Sequence, residues 1–242
     1  MNNIDFNNWK CRCSAVGSIM TAPQAKEAKE RGDLSETAKK YLYKAYAQDI
    51  WGKKTDLFNK YISKGIQVED LSIDLLNEID KTDYVKNELL LENDYLKGTP
   101  DIISVKTNKI VDIKSSFNAE TYLDNVNASL LAHYDYQIRC YMELSGLTQG
   151  EVVFCLVNTP QELINDELFK ATRRHNCIEL PPAIENEITN SMTFDDIPKE
   201  QRVLRFKIYH DEEIIAKVYK KVEKCREYLN EIHKKMLSLT SQ

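Results

Sequence analysis

Two carboxylates and a lysine stand close together near the middle of this 242-residue chain. Asp101 ends the run G-T-P-D, and after ten intervening residues the run D-I-K supplies Asp112 and Lys114. Branched residues at 102–105 and 110–113 flank Thr107-Asn108, which has the residue types of a hairpin turn. An antiparallel hairpin would place Asp101 beside Asp112 at one end. Lys114 would point to the same face as Asp112, because residues two apart on a strand share a face.

Two carboxylates beside an ammonium group are suited to a hard divalent cation. Mg²⁺ prefers oxygen ligands and usually keeps several waters that a substrate can displace. Such an ion polarises a phosphate oxygen and lowers the pKa of a bound water, and two ions about 3.5–4 Å apart support both the attacking and the leaving oxygen. Lys114 would orient or help to deprotonate the water, or neutralise developing charge. The alternative interpretation is two solvated strand-end carboxylates with a lysine partner, since D-x-K often occurs by chance.

A glutamate lies upstream in the run G-I-Q-V-E, which spans Gly65 to Glu69. A glycine inside a helix costs about 1 kcal/mol relative to alanine, so we expect another group to approach Gly65 closely. Glu69, one helical turn later, is placed to reach the two carboxylates from the side.

A predicted helix downstream carries Gln137 and Tyr141 one turn apart on the same face, with Tyr134 adjacent. An amide and phenols lining a pocket of carboxylates and lysine would suit the positioning of a water or a phosphate. Alternatively, Tyr134, Ile138 and Tyr141 are core residues and Gln137 lies at the interface.

The order of these motifs, G-x-x-x-E, G-T-P-D, D-I-K and Y-x-x-Q, resembles that of the PD-(D/E)XK nuclease superfamily. Within it, the chain is most similar to the lambda-exonuclease-type (YqaJ-like) viral recombinase family. The resemblance covers residues 9–145, and the C-terminal hundred residues carry no recognised motif. The run W-K-C-R-C-S-A-V-G-S-I-M-T at 9–21 resembles that family's opening, where an arginine and a serine at a helix start contact a DNA phosphate. One departure is Asp112, where glutamate is frequent in the family.

The resemblance implies roles for individual residues. The implied metal ligands are Glu69, Asp101, Asp112 and the carbonyl of Ile113. The residues implied to act in catalysis beside them are Lys114 and Gln137. The implied contacts to DNA phosphates are Arg12, Ser14, Thr99 and Tyr141. Of these, Arg12 and Ser14 would hold the 5′-terminal phosphate, with Ser18 as the rival of Ser14.

The resemblance also implies an activity. Members of the family digest one strand of duplex DNA from the 5′ end with Mg²⁺ and pass the remaining strand to a single-strand annealing protein, and some form a closed trimeric ring. We therefore expect a Mg²⁺-dependent 5′→3′ double-stranded DNA exonuclease, with Mn²⁺ able to replace Mg²⁺. We expect it to be phage or prophage encoded, and to act in recombination in the cytoplasm of a bacterial host.

Other nuclease-like functions remain open on the same core. They are an endonuclease or resolvase, and a non-catalytic DNA-binding module that keeps the fold. The iron–sulfur class of nuclease is disfavoured, because it needs closely spaced cysteines and those of this chain are dispersed at Cys140, Cys155, Cys177 and Cys225.

Composition limits the function further. The chain has 33 basic and 38 acidic residues and a net charge of −5, so it has no global positive field for nucleic acid. A ring around the duplex would hold an acidic protein on DNA by topology, with local basic clusters lining the channel. No apolar run approaches the about 20 residues of a membrane span, and no export signal is visible. The six cysteines are expected to be free thiols.

The elements that must position these residues form a single α/β (α+β) domain over residues 1–242, with a helical N-terminal layer. The resemblance implies a restriction-endonuclease-like core with a central mixed sheet flanked by helices. Helices are predicted within 14–80 and at 119–145, 161–174 and 211–236. Within 14–80, Ser14 is predicted to cap a short first helix, and the apolar positions of a later helix run from Leu57 and Phe58 to Ile79. Strands are predicted at 89–91, 102–105, 110–113, 151–157 and 202–209. Residues 176–199, which include Pro181-Pro182, are predicted to be irregular.

Overall fold

The computed structural model describes residues 5–53, 60–127 and 131–240. The strands are β1 (Cys11–Arg12), β2 (Leu91–Glu92), β3 (Leu96–Gly98), β4 (Ile102–Ser104), β5 (Lys109–Ser115), β6 (Gln149–Cys155) and β7 (Val203–Tyr209). The α-helices are α1 (Val16–Ile19), α2 (Lys26–Arg31), α3 (Glu36–Trp51), α4 (Lys60–Asp80), α5 (Ala119–Asp124), α6 (Leu131–Ser145), α7 (Gln161–Arg174), α8 (Pro182–Asn190) and α9 (Glu212–Thr240).

The main sheet has four strands in the order β4-β5-β6-β7. β5 pairs antiparallel with β4 and parallel with β6, and β6 pairs antiparallel with β7. A parallel pair needs a long crossover, which α5 and α6 provide. The predicted mixed sheet flanked by helices is therefore confirmed, and β7, near the C-terminal end of the described residues, is one edge of the sheet.

The two faces of β5 differ in character. Val111 and Ile113 face α4, where they pack in an apolar cluster with Val68 and Leu76. The intervening residues face α6, where Ile110 joins a larger core that also includes α1, α3 and α9. Strand alternation therefore sends Asp112 and Lys114 toward α6.

A smaller sheet joins the N-terminal segment to the region before the main sheet. Its order is β1-β3-β2, with β1 parallel to β3 and β2 antiparallel to it. The register sets Arg12 beside Lys97. Two stretches far apart in sequence thus meet immediately before the G-T-P-D run.

Several elements begin and end where their sequences dictate. Ser35 Oγ accepts a hydrogen bond of 3.0 Å from the Ala38 N–H at the start of α3, and Asp211 Oδ1 accepts one of 3.0 Å from the Ile214 N–H at the start of α9, as predicted. The β4–β5 turn contains Asn108 with a φ of 51°, in the left-handed region that asparagine tolerates.

Four predictions about elements are wrong. Ser14 caps no helix, because it lies inside a 3₁₀ turn at Cys13–Ala15 that has no side-chain cap. The helix predicted at 119–145 is interrupted after α5 by a 3₁₀ turn at Asn125–Asn127. The region 176–199 contains α8, which begins at Pro182 because proline suits the first helical position. The strand predicted at 89–91 begins only at Leu91.

Other predictions fall on α4 and its surroundings. Leu57 and Phe58 lie outside the described residues. The close approach expected at Gly65 is wrong, because a Cβ there would meet no atom of the described structure within 4 Å.

The six cysteines are free, as predicted. Among the residues that the structure describes, no helix has both the length and the apolar character of a membrane span.

Candidate active site

The β4–β5 hairpin brings two carboxylates together at one end. Ile102 pairs with Val111, so Asp101, one residue earlier, stands opposite Asp112. Asp101 Oδ2 accepts a hydrogen bond of 2.6 Å from the Ile113 backbone N–H. The structure therefore places Asp101 and Asp112 as the hairpin prediction required.

Asp112 is only 2% exposed, and each of its oxygens faces a side chain. Oδ1 accepts a hydrogen bond of 2.9 Å from Gln137 Nε2, and Oδ2 lies 2.6 Å from Lys114 Nζ in an ion pair. Apart from this ion pair, Oδ2 has no polar partner among the described residues. A buried carboxylate oxygen that faces only a cation has the chemistry of a cation ligand.

Electrostatics at the hairpin end favour an additional positive charge. Burial raises the pKa of Asp101 to about 7, and the charge of Asp112 adds to the effect, while Lys114 opposes it. Burial alone would lower the pKa of Lys114, but Asp112 and Asp101 outweigh it and hold that pKa above its usual range. Two carboxylates thus share one ammonium group, and a further cation would relieve their repulsion.

Gln137 and Tyr141 support Asp112 from α6. Besides its bond to Asp112, Gln137 Nε2 donates to the Tyr141 hydroxyl at 3.2 Å. Tyr141 is buried, and a Cβ on Gly98 would lie 2.6 Å from its ring. The glycine of G-T-P-D is therefore needed for close packing against α6. The hydroxyl of Tyr141, predicted to contact DNA phosphate, lies inside the protein against Gln137.

Glu69 lies near this centre without joining it. It projects from α4, where its Oε2 is 3.2 Å from Lys86 Nζ, and its charge contributes to the raised pKa of Asp101. Within residues 5–53, 60–127 and 131–240, no three side chains of Asp, Glu, His or Cys are grouped so as to hold a metal ion. The structure brings together Asp101, Asp112, Lys114 and Gln137, whereas Glu69 would have to leave Lys86 to become a third ligand.

The remaining phosphate-binding predictions fall on the small sheet. Thr99 directly follows β3 and is exposed. Arg12 and Ser14 line a cavity of about 260 Å³ together with Lys44 and Lys97. Ser18 is not among the residues that line it.

The cavity that contains Arg12 has an excess of positive charge. Arg12, Lys44 and Lys97 form no ion pair with any residue in the described part of the chain, whereas Lys10 is paired with Glu92 at 3.0 Å. Asp49 is the one acidic side chain among the lining residues. The cavity is therefore suited to a small anion.

Sequence reasoning missed the roles of two residues of these sites and anticipated a third only in part. Lys97 escaped because it joins Arg12 only through the parallel β1–β3 pairing. Lys44 was visible only as one member of a basic run on a helix. Tyr134 was seen as a neighbour of the site, but not as the ring that lies 5.1 Å from Lys114 Nζ.

Solved structures of other proteins are similar to this chain, although its sequence matches no family model. No protein-family model and no curated protein matches the sequence. Among solved structures, a phage-related exonuclease from Haemophilus somnus 129PT is similar over 95% of this chain and 97% of its own, with 26% identity and a TM-score of 0.78. An alkaline exonuclease (LHK-Exo) from Laribacter hongkongensis is similar over 96% of each chain, with 14% identity and a TM-score of 0.63.

A second structure of LHK-Exo, in complex with dAMP, is similar over 95% of this chain and 94% of its own, with 15% identity and a TM-score of 0.60. At these identities the two LHK-Exo structures establish the fold alone. The similarity extends through the C-terminal hundred residues, which carry no recognised motif. The predicted nuclease fold and the resemblance to exonucleases of phage type are confirmed.

Proposed function

We propose that this chain, a nuclease of phage type by its fold and its 26% identity to a phage-related exonuclease, is a metal-dependent 5′→3′ exonuclease of double-stranded DNA. It would digest one strand from its 5′ end and leave a 3′ single-stranded tail. The observation that carries the proposal is the group formed by Asp101, Asp112 and Lys114. It supplies oxygen ligands and a fixed cation side by side, an arrangement suited to metal-assisted hydrolysis of a phosphodiester.

The residues present fit a divalent cation. Asp112 Oδ2 is a buried carboxylate oxygen whose one polar partner among the described residues is the Lys114 ammonium group, and Asp101 lies beside it. We propose that these two carboxylates and the Ile113 carbonyl hold Mg²⁺, or Mn²⁺ in its place, and that Glu69 joins them on release from Lys86. A bound cation at this site supplies polarisation of a phosphate oxygen and a lower pKa for a water.

The chain's own groups would do the rest of the work. Lys114 keeps a positive charge at a fixed place, where it orients the attacking water or offsets the negative charge that develops on the phosphate. Gln137 holds Asp112 through Oδ1, and Tyr141 holds Gln137. The exposed hydroxyl of Thr99 stands two residues before Asp101 and would donate to a phosphate of the strand being cut.

The Arg12 cavity would bind the 5′-terminal phosphate. Arg12 and Ser14, with Lys44 and Lys97, offer three positive charges and a hydroxyl. Lys97 precedes Asp101 by four residues, so their Cα atoms are at most about 14 Å apart. At this spacing one DNA strand would contact the cavity and the carboxylates at once, which would couple recognition of an end to cleavage beside it.

The wider role follows from the similarity to exonucleases of phage type. We propose that the protein works in phage recombination in the cytoplasm of a bacterial host and passes its 3′ tails to a single-strand annealing protein. A closed homotrimer around the duplex would reconcile the net charge of −5 with retention on DNA. Light scattering should then give three times the 28.1 kDa mass of the chain, and a monomeric mass would contradict the ring.

End-dependent cleavage is tested with linear duplex and a covalently closed circle, each with Mg²⁺, Mn²⁺ or EDTA. The proposal predicts conversion of the linear duplex into long single strands with either metal, an intact circle and no reaction in EDTA. Strands labelled at the 5′ or the 3′ end reveal the polarity. A cut circle would indicate an endonuclease, and binding without cleavage under every metal would indicate a non-catalytic module.

The phosphate anchor is tested by comparing ends with and without a 5′ phosphate. Wild-type protein should digest phosphorylated ends faster, and Arg12→Ala should lower that preference about tenfold through loss of a charge-assisted hydrogen bond. Arg31→Ala is the matched control, because Arg31 is paired with Asp33 at 2.8 Å on α2. Equal effects of the two variants would contradict the anchor.

A further inference from the structure

Lys114 has a second neighbour besides Asp112, the aromatic ring of Tyr134. The Lys114 Nζ lies 5.1 Å from the centre of that ring. An ammonium group over the face of a tyrosine is attracted by the negative potential of the ring. The lysine thus has a carboxylate on one side and an aromatic face on the other.

The position of this ring is set by the sheet. The Tyr134 ring meets Phe154 edge-on, with centroids 5.9 Å apart, and Phe154 meets Phe206 in the same way at 5.9 Å. Phe154 is the residue of β6 that pairs with Lys114 of β5. Phe154, on the strand beside Lys114, therefore contacts the Tyr134 ring, and that ring in turn faces the Lys114 ammonium group.

The first turn of α6 is also fixed from the side of α1. His133 contacts the Tyr134 ring edge-on at 5.9 Å. A Cβ on Gly17 would lie 2.2 Å from the imidazole of His133, so α1 and this histidine are in close contact. Tyr134 is thus held between the sheet and the N-terminal layer.

The ring matters most when Asp112 binds a cation. Asp112 Oδ2 is the partner of Lys114 at 2.6 Å and has no other polar partner among the described residues. A cation that takes this oxygen competes with Lys114 for it. The face of Tyr134 then remains as the contact that keeps the ammonium group in place.

We propose that Tyr134 is a positioning residue for the catalytic Lys114 and acts through the face of its ring, an inference that rests on the proposed nuclease function. The hydroxyl of Tyr134 forms no hydrogen bond with a described residue, as expected if the ring alone does the work. The ring keeps Lys114 next to the phosphate during the reaction and contributes nothing to the binding of DNA.

The kinetic test replaces the ring in graded steps. Tyr134→Phe should keep the wild-type kcat, whereas Tyr134→Leu, which preserves apolar contact with Phe154, should lower kcat about tenfold with KM for DNA unchanged. Phenylalanines with one, two and three fluorines at this position should lower kcat progressively, because fluorine withdraws charge from the ring face at nearly constant shape. A loss of stability alone would not follow that order.

Three kinetic results would overturn the inference. Equal loss in Tyr134→Phe and Tyr134→Leu would assign the effect to the hydroxyl. A raised KM with unchanged kcat would make Tyr134 a DNA contact. A Tyr134→Leu variant as fast as wild type would remove any role in positioning.

A measurement without DNA separates this inference from the proposed function. In protein with ¹³C-labelled lysine, the ε-methylene protons of Lys114, assigned with Lys114→Arg, should be shifted upfield by the ring. The shift should persist with Mg²⁺ and in Tyr134→Phe and vanish in Tyr134→Leu. An unshifted signal would overturn the inference whatever the activity, whereas wild-type protein that shows this shift yet cuts no DNA would overturn the nuclease function.

Discussion

Two lysines beside β5 have opposite environments. Lys114, on the face of β5 toward α6, is paired with Asp112 and lies over Tyr134. Lys64, on α4 at the other face, is fully buried and donates to the Phe117 carbonyl at 3.0 Å. It also lies over two aromatic rings, 5.8 Å from that of Phe117 and 5.3 Å from that of Phe194. It has no carboxylate partner among the described residues.

The proton affinities of the two lysines differ accordingly. Burial would lower the pKa of Lys114, but Asp112 and Asp101 outweigh it and raise that pKa. Burial lowers the pKa of Lys64 to about 8. Both ammonium groups face aromatic rings, so the carboxylates decide which lysine keeps its proton firmly. Lys114 is therefore a fixed cation between two carboxylates, whereas the charge of Lys64 costs stability.

The largest difference is expected in cleavage. Lys114→Met should lower kcat on linear duplex about 10³-fold, because a charge aimed at the transition state is lost. Lys64→Met, the matched control with the same change of side chain, should cleave at the wild-type rate. Fluorescence anisotropy should show little change in DNA affinity for either. Comparable losses of cleavage in the two variants would remove the distinction.

The next largest effect is expected from loosening Asp112. Gln137→Leu removes the hydrogen bond to Asp112 Oδ1, and cleavage should fall about 10–100-fold, as for other residues that orient metal ligands. Tyr141→Phe, which removes only the acceptor of the weaker 3.2 Å bond, should lose less. Steady-state rates on one linear substrate would compare them. A greater loss in Tyr141→Phe would contradict the assigned order of support.

For the free energy of unfolding, the substitution with a marked effect should be the one at Lys64. A Lys64 pKa of about 8 against the usual 10.5 corresponds to about 3 kcal/mol of destabilisation at neutral pH. Loss of the hydrogen bond to the Phe117 carbonyl subtracts about 1 kcal/mol. Lys64→Met should therefore be more stable than wild type by about 2 kcal/mol in urea unfolding at pH 7.

The same substitution should change the pH dependence. Between pH 8 and 10.5 the unfolded chain holds the Lys64 proton and the folded chain does not, so the stability of wild-type protein rises with pH across this range. Lys64→Met should lack that rise. A variant less stable than wild type at pH 7, or a rise that persists without Lys64, would show that this lysine carries no such cost.

The smallest effect is expected next to Lys64, at Gly65. A Cβ there meets no atom of the described structure within 4 Å, so Gly65→Ala should stabilise α4 by about 0.5–1 kcal/mol through helix propensity. Cleavage should not change. The matched contrast is Gly98→Ala, where the Cβ would collide with Tyr141 at 2.6 Å, and both stability and cleavage should fall. Urea unfolding of both variants would test this difference.

The part of the site that could be predicted from the sequence depends on local rules. Asp101 and Asp112 meet because one hairpin carries both, and Lys114 shares a face with Asp112 through strand alternation. Gln137 reaches Asp112 because α6 packs on that face. These relations need only short-range geometry and the periodicity of the apolar residues.

The part that could not be predicted depends on pairings between distant segments. Arg12 and Lys97 become neighbours only through a parallel pair of two-residue register, which leaves no periodic signal. Glu69 lies on α4 and meets Lys86, which belongs to a segment between α4 and β2 that has no regular secondary structure. The helix α8 was missed because Pro181-Pro182 was interpreted as a break, although proline also begins helices.

We infer that the hairpin carboxylates hold the cation beside which Lys114 works. Calorimetric titration of Mn²⁺ into wild-type protein, Asp112→Asn and the double variant Asp101→Asn/Asp112→Asn tests it without any assay of cleavage. Wild-type protein should bind Mn²⁺, the single variant should bind it more weakly and the double variant should not bind it. Glu78→Gln is the control and should bind as wild type does, because the Glu78 carboxylate pairs with Lys199 at the far end of α4. Undiminished binding to the double variant would contradict the account.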